Sequence, residues 1–151
     1  MIPRVGETPQ IGREYTLRPG VYCILPMGYS VLLTVQVDDN WDLQLPGGGI
    51  DPGEHPIQAL HREVLEETGW RIAVPRRLGA FRRFVFMPEY DLWAEKVCTV
   101  YVARPVQKLH DPIESNHIAT WLPLQEAAGK LGNPGDRHLL LKYLACCGPD
   151  R

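Results

Sequence analysis

The stretch Leu45–Trp70, LPGGGIDPGEHPIQALHREVLEETGW, decides how this chain is read. It runs from a glycine-proline loop into a helix predicted over 56–68, with Pro56 in the first turn and Gly69 just past the end. At about 100° per residue, Ile57, Leu60, Val64 and Thr68 fall on one stripe, the expected core face. Glu63, Glu66 and Glu67 fall in one arc beside that stripe. Glu63 lies three and four residues before the other two, so the three carboxylates are neighbours. Each such like-charge pair costs roughly 0.2–0.5 kcal/mol. Glu66 and Glu67 also face the negative end of the helix dipole. Arg62 offsets part of this through its i,i+4 relation to Glu66. A solvated acidic face is the plain reading of "EVLEE" alone. A divalent cation would instead turn repulsion into ligation, and hard oxygen ligands suit Mg²⁺ or Mn²⁺. The glycines let backbone approach a ligand closely. They do not make a P-loop, because no Gly-Lys-Ser/Thr follows them.

Outward from this segment, 151 residues with 44% hydrophobic content fit one compact domain. With a net charge of −2, no basic surplus points to nucleic acid or anionic membrane as a general partner. A local basic patch remains, since Arg76, Arg77, Arg82 and Arg83 lie close in sequence. Four cysteines form no Cys-x-x-Cys pair, and Cys23 and Cys98 sit in apolar runs as expected buried thiols. The polar first twenty residues lack a secretory h-region, and no apolar run approaches the ~20 residues of a membrane span. A cytoplasmic location is therefore expected.

Residues 1–20 read as an irregular lead-in. "VYCILPM" and "YSVLLTVQV" read as paired strands over 21–26 and 29–37, turning at "MGY". "LQLPGGG" is a short strand entering the glycine loop. "RIAVPRRLGAFRRFVFM" and "DLWAEKVCTVYVARPV" are strand-like, most strongly at 97–104, and "MPEYD" joins them. A last strand is predicted near 117–122, a helix near 123–131, and a C-terminal helix over "RHLLLKYLACC" after the breaker "NPGD". Strands with few interspersed helices indicate an α+β fold with a mixed β-sheet.

The spacing of Gly48, Glu54, Arg62-Glu63-Val64, Glu66-Glu67 and Gly69-Trp70 resembles the Nudix box, Gx5Ex7REUxEExGU with U bulky and apolar. All seven fixed positions match across 23 residues; Trp70 stands where an aliphatic residue is usual. "ATWLPLQEA" is similar to the family's late strand and amphipathic helix. The resemblance implies an α/β/α sandwich and metal-dependent hydrolysis of a nucleoside diphosphate linked to a further group. It implies that Glu63, Glu66 and Glu67 hold Mg²⁺ or Mn²⁺, with Glu63 and Glu67 the strongest direct ligands. Glu54 and the Gly48 carbonyl are further ligand candidates, and Arg62 would orient a glutamate.

The general base stays open between Glu66 and acids on later loops, namely Glu89, Asp91, Glu95 and Glu114. Glu114 carries slightly more weight among these, because it precedes the final strand, where the resemblance implies that several family members carry a catalytic acid. The segment Arg82-Arg83-Phe84 is a candidate substrate contact, through phosphate pairing and base stacking. An alternating surface strand explains the same residues. The expected partner is a small nucleotide, with a nucleoside triphosphate or related compound favoured by the short chain. ADP-ribose, a nucleotide sugar, a dinucleoside polyphosphate, a capped RNA end and a non-catalytic binding module remain alternatives. A homodimer is open.

Overall fold

A computed structural model describes residues 1–37, 41–113 and 116–147. Its backbone forms two sheets and three helices. The first sheet has the order β5 (Gly47–Gly49), β1 (Thr16–Ile24), β7 (Leu92–Lys108) and β6 (Trp70–Met87). The second joins β2 (Pro26–Met27), β3 (Ser30–Gln36) and β4 (Leu43–Gln44), with β8 (His117–Pro123) also paired to β3. Because β1 runs parallel to β7 while β6 runs antiparallel to it, the first sheet is mixed.

Helix α1 (Pro56–Thr68) covers one side, burying Ala59, Leu60, Val64 and Thr68 against Val21, Cys23, Leu25 and Ile72. Helices α2 (Leu124–Lys130) and α3 (Pro134–Cys147) close the other side over Ile24, Phe81, Cys98 and Val100. This is the expected α+β sandwich. The core stripe of α1 differs in one detail: Ala59 is fully buried, whereas Ile57 is only half-buried. His61, on the same helix, is solvent-exposed.

Three elements depart from the sequence reading. The "MGY" hairpin exists, but only two rungs pair Pro26–Met27 with β3. The expected strand over 21–26 is divided between sheets, and β1 starts at Thr16, inside the supposed lead-in. Pro19 lies inside β1, opposite Val97 of β7, and just beyond the paired rungs of β5 its carbonyl accepts from the Ile50 amide at 3.0 Å. The C-terminal helix begins at Pro134 rather than after Asp136. Asn133 Oδ1 accepts from the Gly135 amide at 2.8 Å, so "NPG" starts the helix. Cys23 and Cys98 are buried free thiols, as expected.

Candidate functional site

Local chemistry fixes both ends of α1. His55 Nδ1 accepts from the Ile57 amide at 3.1 Å, and Pro56 needs no hydrogen-bond donor there. Gly69 ends the helix at φ 76°, its amide donating to the Leu65 carbonyl. A Cβ at Gly69 would lie 1.6 Å from the His110 carbonyl oxygen, so the position accepts no side chain.

Between these ends, Arg62 gathers the acidic residues. Its Nε donates to Glu54 Oε2 at 2.7 Å and its Nη2 to Glu54 Oε1 at 2.9 Å. Nη1 reaches Glu63 Oε1 at 3.0 Å and Glu66 Oε2 at 3.4 Å, and Nη2 also reaches the Gly49 carbonyl at 3.1 Å. The bidentate guanidinium holds the Glu54 carboxyl at about 2. Glu54 in turn raises the Arg62 pKa. Thus Arg62 orients Glu63 and Glu66 from the same hub that pins Glu54.

Glu67 is held from another direction. Its Oε1 accepts from the Gly47 amide at 3.0 Å, and its Oε2 lies 3.4 Å from His117 Nε2 on β8. Glu63 lies against Gly48, where a Cβ would come within 2.5 Å of its carboxyl carbon. The missing Gly48 side chain therefore leaves a cradle for that carboxylate. Glu54, Glu63, Glu66, Glu67 and Gly48 are thus brought together around Arg62 and the glycine loop.

The donor set fits a hard divalent cation: clustered carboxylates beside exposed loop backbone, with no competing thiolate. Among the described residues, no three acidic, histidine or cysteine groups already surround one point. Arg62 and the Gly47 amide occupy carboxylate oxygens that ligation would draw away.

Two adjoining cavities open beside the box. One, of about 390 Å³, is lined by Gly48, Glu63, Arg18, Tyr90 and Lys96 among others. The other, of about 480 Å³, includes Arg83, Asn133 and Asp136. Tyr22, Glu89 and Lys96 belong to both. The structure separates the candidate substrate segment. Arg83 faces the second cavity, whereas Phe84, two positions from Arg82 on the same strand face, is buried against Tyr15 at 4.9 Å. Arg82 pairs through its backbone with Pro3 and Val5. Glu89 lines both cavities, and Asp91 is exposed on the loop. Glu95 projects from the opposite face to its neighbour Lys96. Glu114 lies outside the described residues.

Sequence reasoning did not single out Lys96, Tyr22 and Asp136, which line these cavities. Lys96 was legible in principle: it shares the even positions of β7 with buried Ala94, Cys98 and Val100, so a cation stands on an inward face. Asp136 is 3% exposed, and its Oδ2 accepts from the Leu45 amide at 3.2 Å. Burial raises its carboxyl to about 6 despite that bond and the opposing pull of Arg83 and Lys96.

Comparison with known proteins identifies the family and the fold. A family model described as NUDIX domain matches residues 16–143. An RNA pyrophosphohydrolase of Helicobacter pylori is 44% identical over 57 residues, 34% of this chain and 37% of its own length. An 8-oxo-(d)GTP phosphatase of Mycolicibacterium smegmatis is 29% identical over 106 residues, 70% of this chain and 30% of its own length. These matches span well under half the length of the curated relatives. A NUDIX hydrolase structure from Nitrosomonas europaea superposes with TM-score 0.69 at 21% identity, covering 86% of this chain and 90% of that one. That likeness concerns the fold, and members of the family generally use divalent metals. With the family model spanning β1 to α3 and the box residues assembled at one loop, the chain belongs to the NUDIX family.

Proposed function

We propose that this chain hydrolyses a diphosphate linkage in a nucleotide, using Mg²⁺ or Mn²⁺. The observation that carries the proposal is the assembly of Glu63, Glu66 and Glu67 at the Gly47–Gly49 loop, with Arg62 bonded to two of them. A protein with no use for these charges gains nothing from placing them at the helix end where the dipole opposes them.

Glu63 and Glu67 would hold the ion, with Glu66, Glu54 and the Gly48 carbonyl as the remaining oxygen donors. When bound, the ion neutralises diphosphate oxygens and lowers the pKa of a nearby water. Arg62 keeps the carboxylates turned toward the loop. Glu66, the most exposed of the three carboxylates at 33%, is assigned as base, with Glu114 as its alternative. In the reaction one P–O bond forms from water and the bridging P–O bond breaks. The water's proton passes to the base, and two phosphate-terminated products leave. Of the segment Arg82, Arg83 and Phe84, Arg83 is the candidate substrate contact, since it lines one of the two cavities beside the box and the other two line neither.

We favour a nucleoside triphosphate or a related phosphorylated nucleotide as substrate. The names of two relatives, an 8-oxo-(d)GTP phosphatase and an RNA pyrophosphohydrolase, support that class. A panel of nucleoside triphosphates, ADP-ribose, dinucleoside polyphosphates and 5′-triphosphorylated RNA, with products identified by mass, tests the proposal. Mg²⁺-dependent cleavage of one diphosphate linkage is expected. No turnover on any member would favour the binding module, and undiminished turnover in excess EDTA would remove the metal from the account.

A further inference from the structure

Three cations stand in line across the first sheet. Arg18 on β1 is the in-register partner of Lys96 on β7, and Lys96 is the in-register partner of Arg83 on β6. In-register partners project from the same face, so the three side chains form one row across three neighbouring strands. With strands ~4.8 Å apart, the row is roughly 10 Å long. Like charges placed directly opposite one another destabilise a sheet. Among the described residues none of the three makes an ion pair with a carboxylate. Arg18 instead stacks on Tyr90 at 4.3 Å, and Lys96 Nζ lies 6.0 Å from the Tyr22 ring centre.

The row runs along the floor of the two adjoining cavities. Arg18 and Lys96 line the one that reaches Glu63 and Gly48, and Lys96 and Arg83 line the one that reaches Asp136. Glu63 lines the first cavity and Asp136 the second, while Glu89 lines both.

We propose that Arg18, Lys96 and Arg83 form a phosphate track that holds a chain of at least two linked phosphates beside the acidic box, with Lys96 as its central contact. The inference rests on the nucleotide-hydrolase reading for its biological ligand. It does not rest on that reading for its test. A polyanion laid along the row converts three mutually repelling cations into charge-assisted hydrogen bonds.

Inorganic tripolyphosphate is the probe, and its binding is measured by calorimetry at fixed Mg²⁺ with orthophosphate as the comparison. The wild type should prefer tripolyphosphate, with affinity falling as salt rises. Lys96→Met and Arg83→Met should each weaken tripolyphosphate binding about tenfold or more while melting near the wild-type temperature. Arg71→Met, which removes an exposed cation at the far end of β6, should change it little. No preference for tripolyphosphate, wild-type affinity in Lys96→Met, or an equal loss in Arg71→Met would overturn the proposal. Because the probe is no nucleotide, a chain that binds tripolyphosphate but cleaves none of the nucleotide panel keeps the track and loses the hydrolase reading.

Discussion

The carboxylate of Glu63 occupies the space that a side chain on Gly48 would fill, with 2.5 Å between an ideal Gly48 Cβ and Glu63 Oε2. The obstructed atoms belong to the far end of a flexible side chain, not to backbone. Glu63 can therefore swing away at little cost to the fold. Gly48→Ala should accordingly lower stability by less than ~1 kcal/mol, below the usual range for overpacking a rigid core. It should still displace a carboxylate that the proposal assigns to the metal, and reduce kcat at least tenfold. Melting temperature beside kcat at saturating Mg²⁺ checks both halves. A loss of stability without a loss of rate would make the cradle purely structural.

Arg62→Met removes the hub of the acidic cluster. Glu54 then loses the guanidinium that holds its carboxyl at about 2, and its pKa should return toward the ordinary carboxylate range. A depressed folded-state pKa stabilises above the unfolded value, and that stability is lost as pH falls through the folded one. The stability gap between wild type and variant should thus be constant at neutral pH and shrink between about pH 4.5 and 2. Urea titrations at several pH values measure it. A gap independent of pH would show that Arg62 acts by packing alone.

Asp136 shows the opposite sign. Its folded-state carboxyl is raised to about 6 by burial. A raised pKa favours the folded state below the unfolded value of 3.8, and the advantage disappears as pH rises through about 6. Above that, the protein carries a buried charge whose cost is of order 3 kcal/mol, from about 1.4 kcal/mol per unit. Asp136→Asn retains an oxygen for the Leu45 amide and abolishes the titration. The variant should be the more stable at pH 8, with the difference fading toward pH 4. Melting curves across that range decide it, and no gain at pH 8 would mean that Arg83 and Lys96 fully compensate the charge.

Much of this molecule is written in local pattern. The 3.6-residue period of Leu60, Val64 and Thr68, with Pro56 and Gly69 at the ends, marks α1 and the arc of glutamates. The glycine loop is legible too, because glycine admits close backbone approach and conformations that other residues rarely adopt. Pairing between distant segments is not local. Nothing in "TLRPGVYCI" states that it lies parallel to Leu92–Lys108, so Arg18, Lys96 and Arg83 look unrelated in sequence and become neighbours only through register. Asp136 was hidden because "NPGD" reads as a breaker, whereas Asn133 uses it to start a helix. The segment Arg82-Arg83-Phe84 allows either a substrate contact or an alternating strand in sequence, and only the folded strand shows that Arg83 lines a cavity while Phe84 is buried.

Glu67 gives the most direct test that the acidic arc exists for metal and not for the fold. Glu67→Gln keeps the size of the side chain and an oxygen for the Gly47 amide, while removing one charge. Without metal, repulsion from Glu63 and the unfavourable helix dipole both relax. The variant should then be as stable as wild type, or more stable by a few tenths to ~1 kcal/mol. With metal, it lacks an anionic ligand, and kcat should fall by orders of magnitude. The measurement is melting temperature in EDTA beside kcat at saturating Mg²⁺, on the best substrate of the panel. An unchanged or raised melting temperature with a collapsed kcat is the predicted result; a near wild-type kcat, or a large loss of metal-free stability, would contradict it.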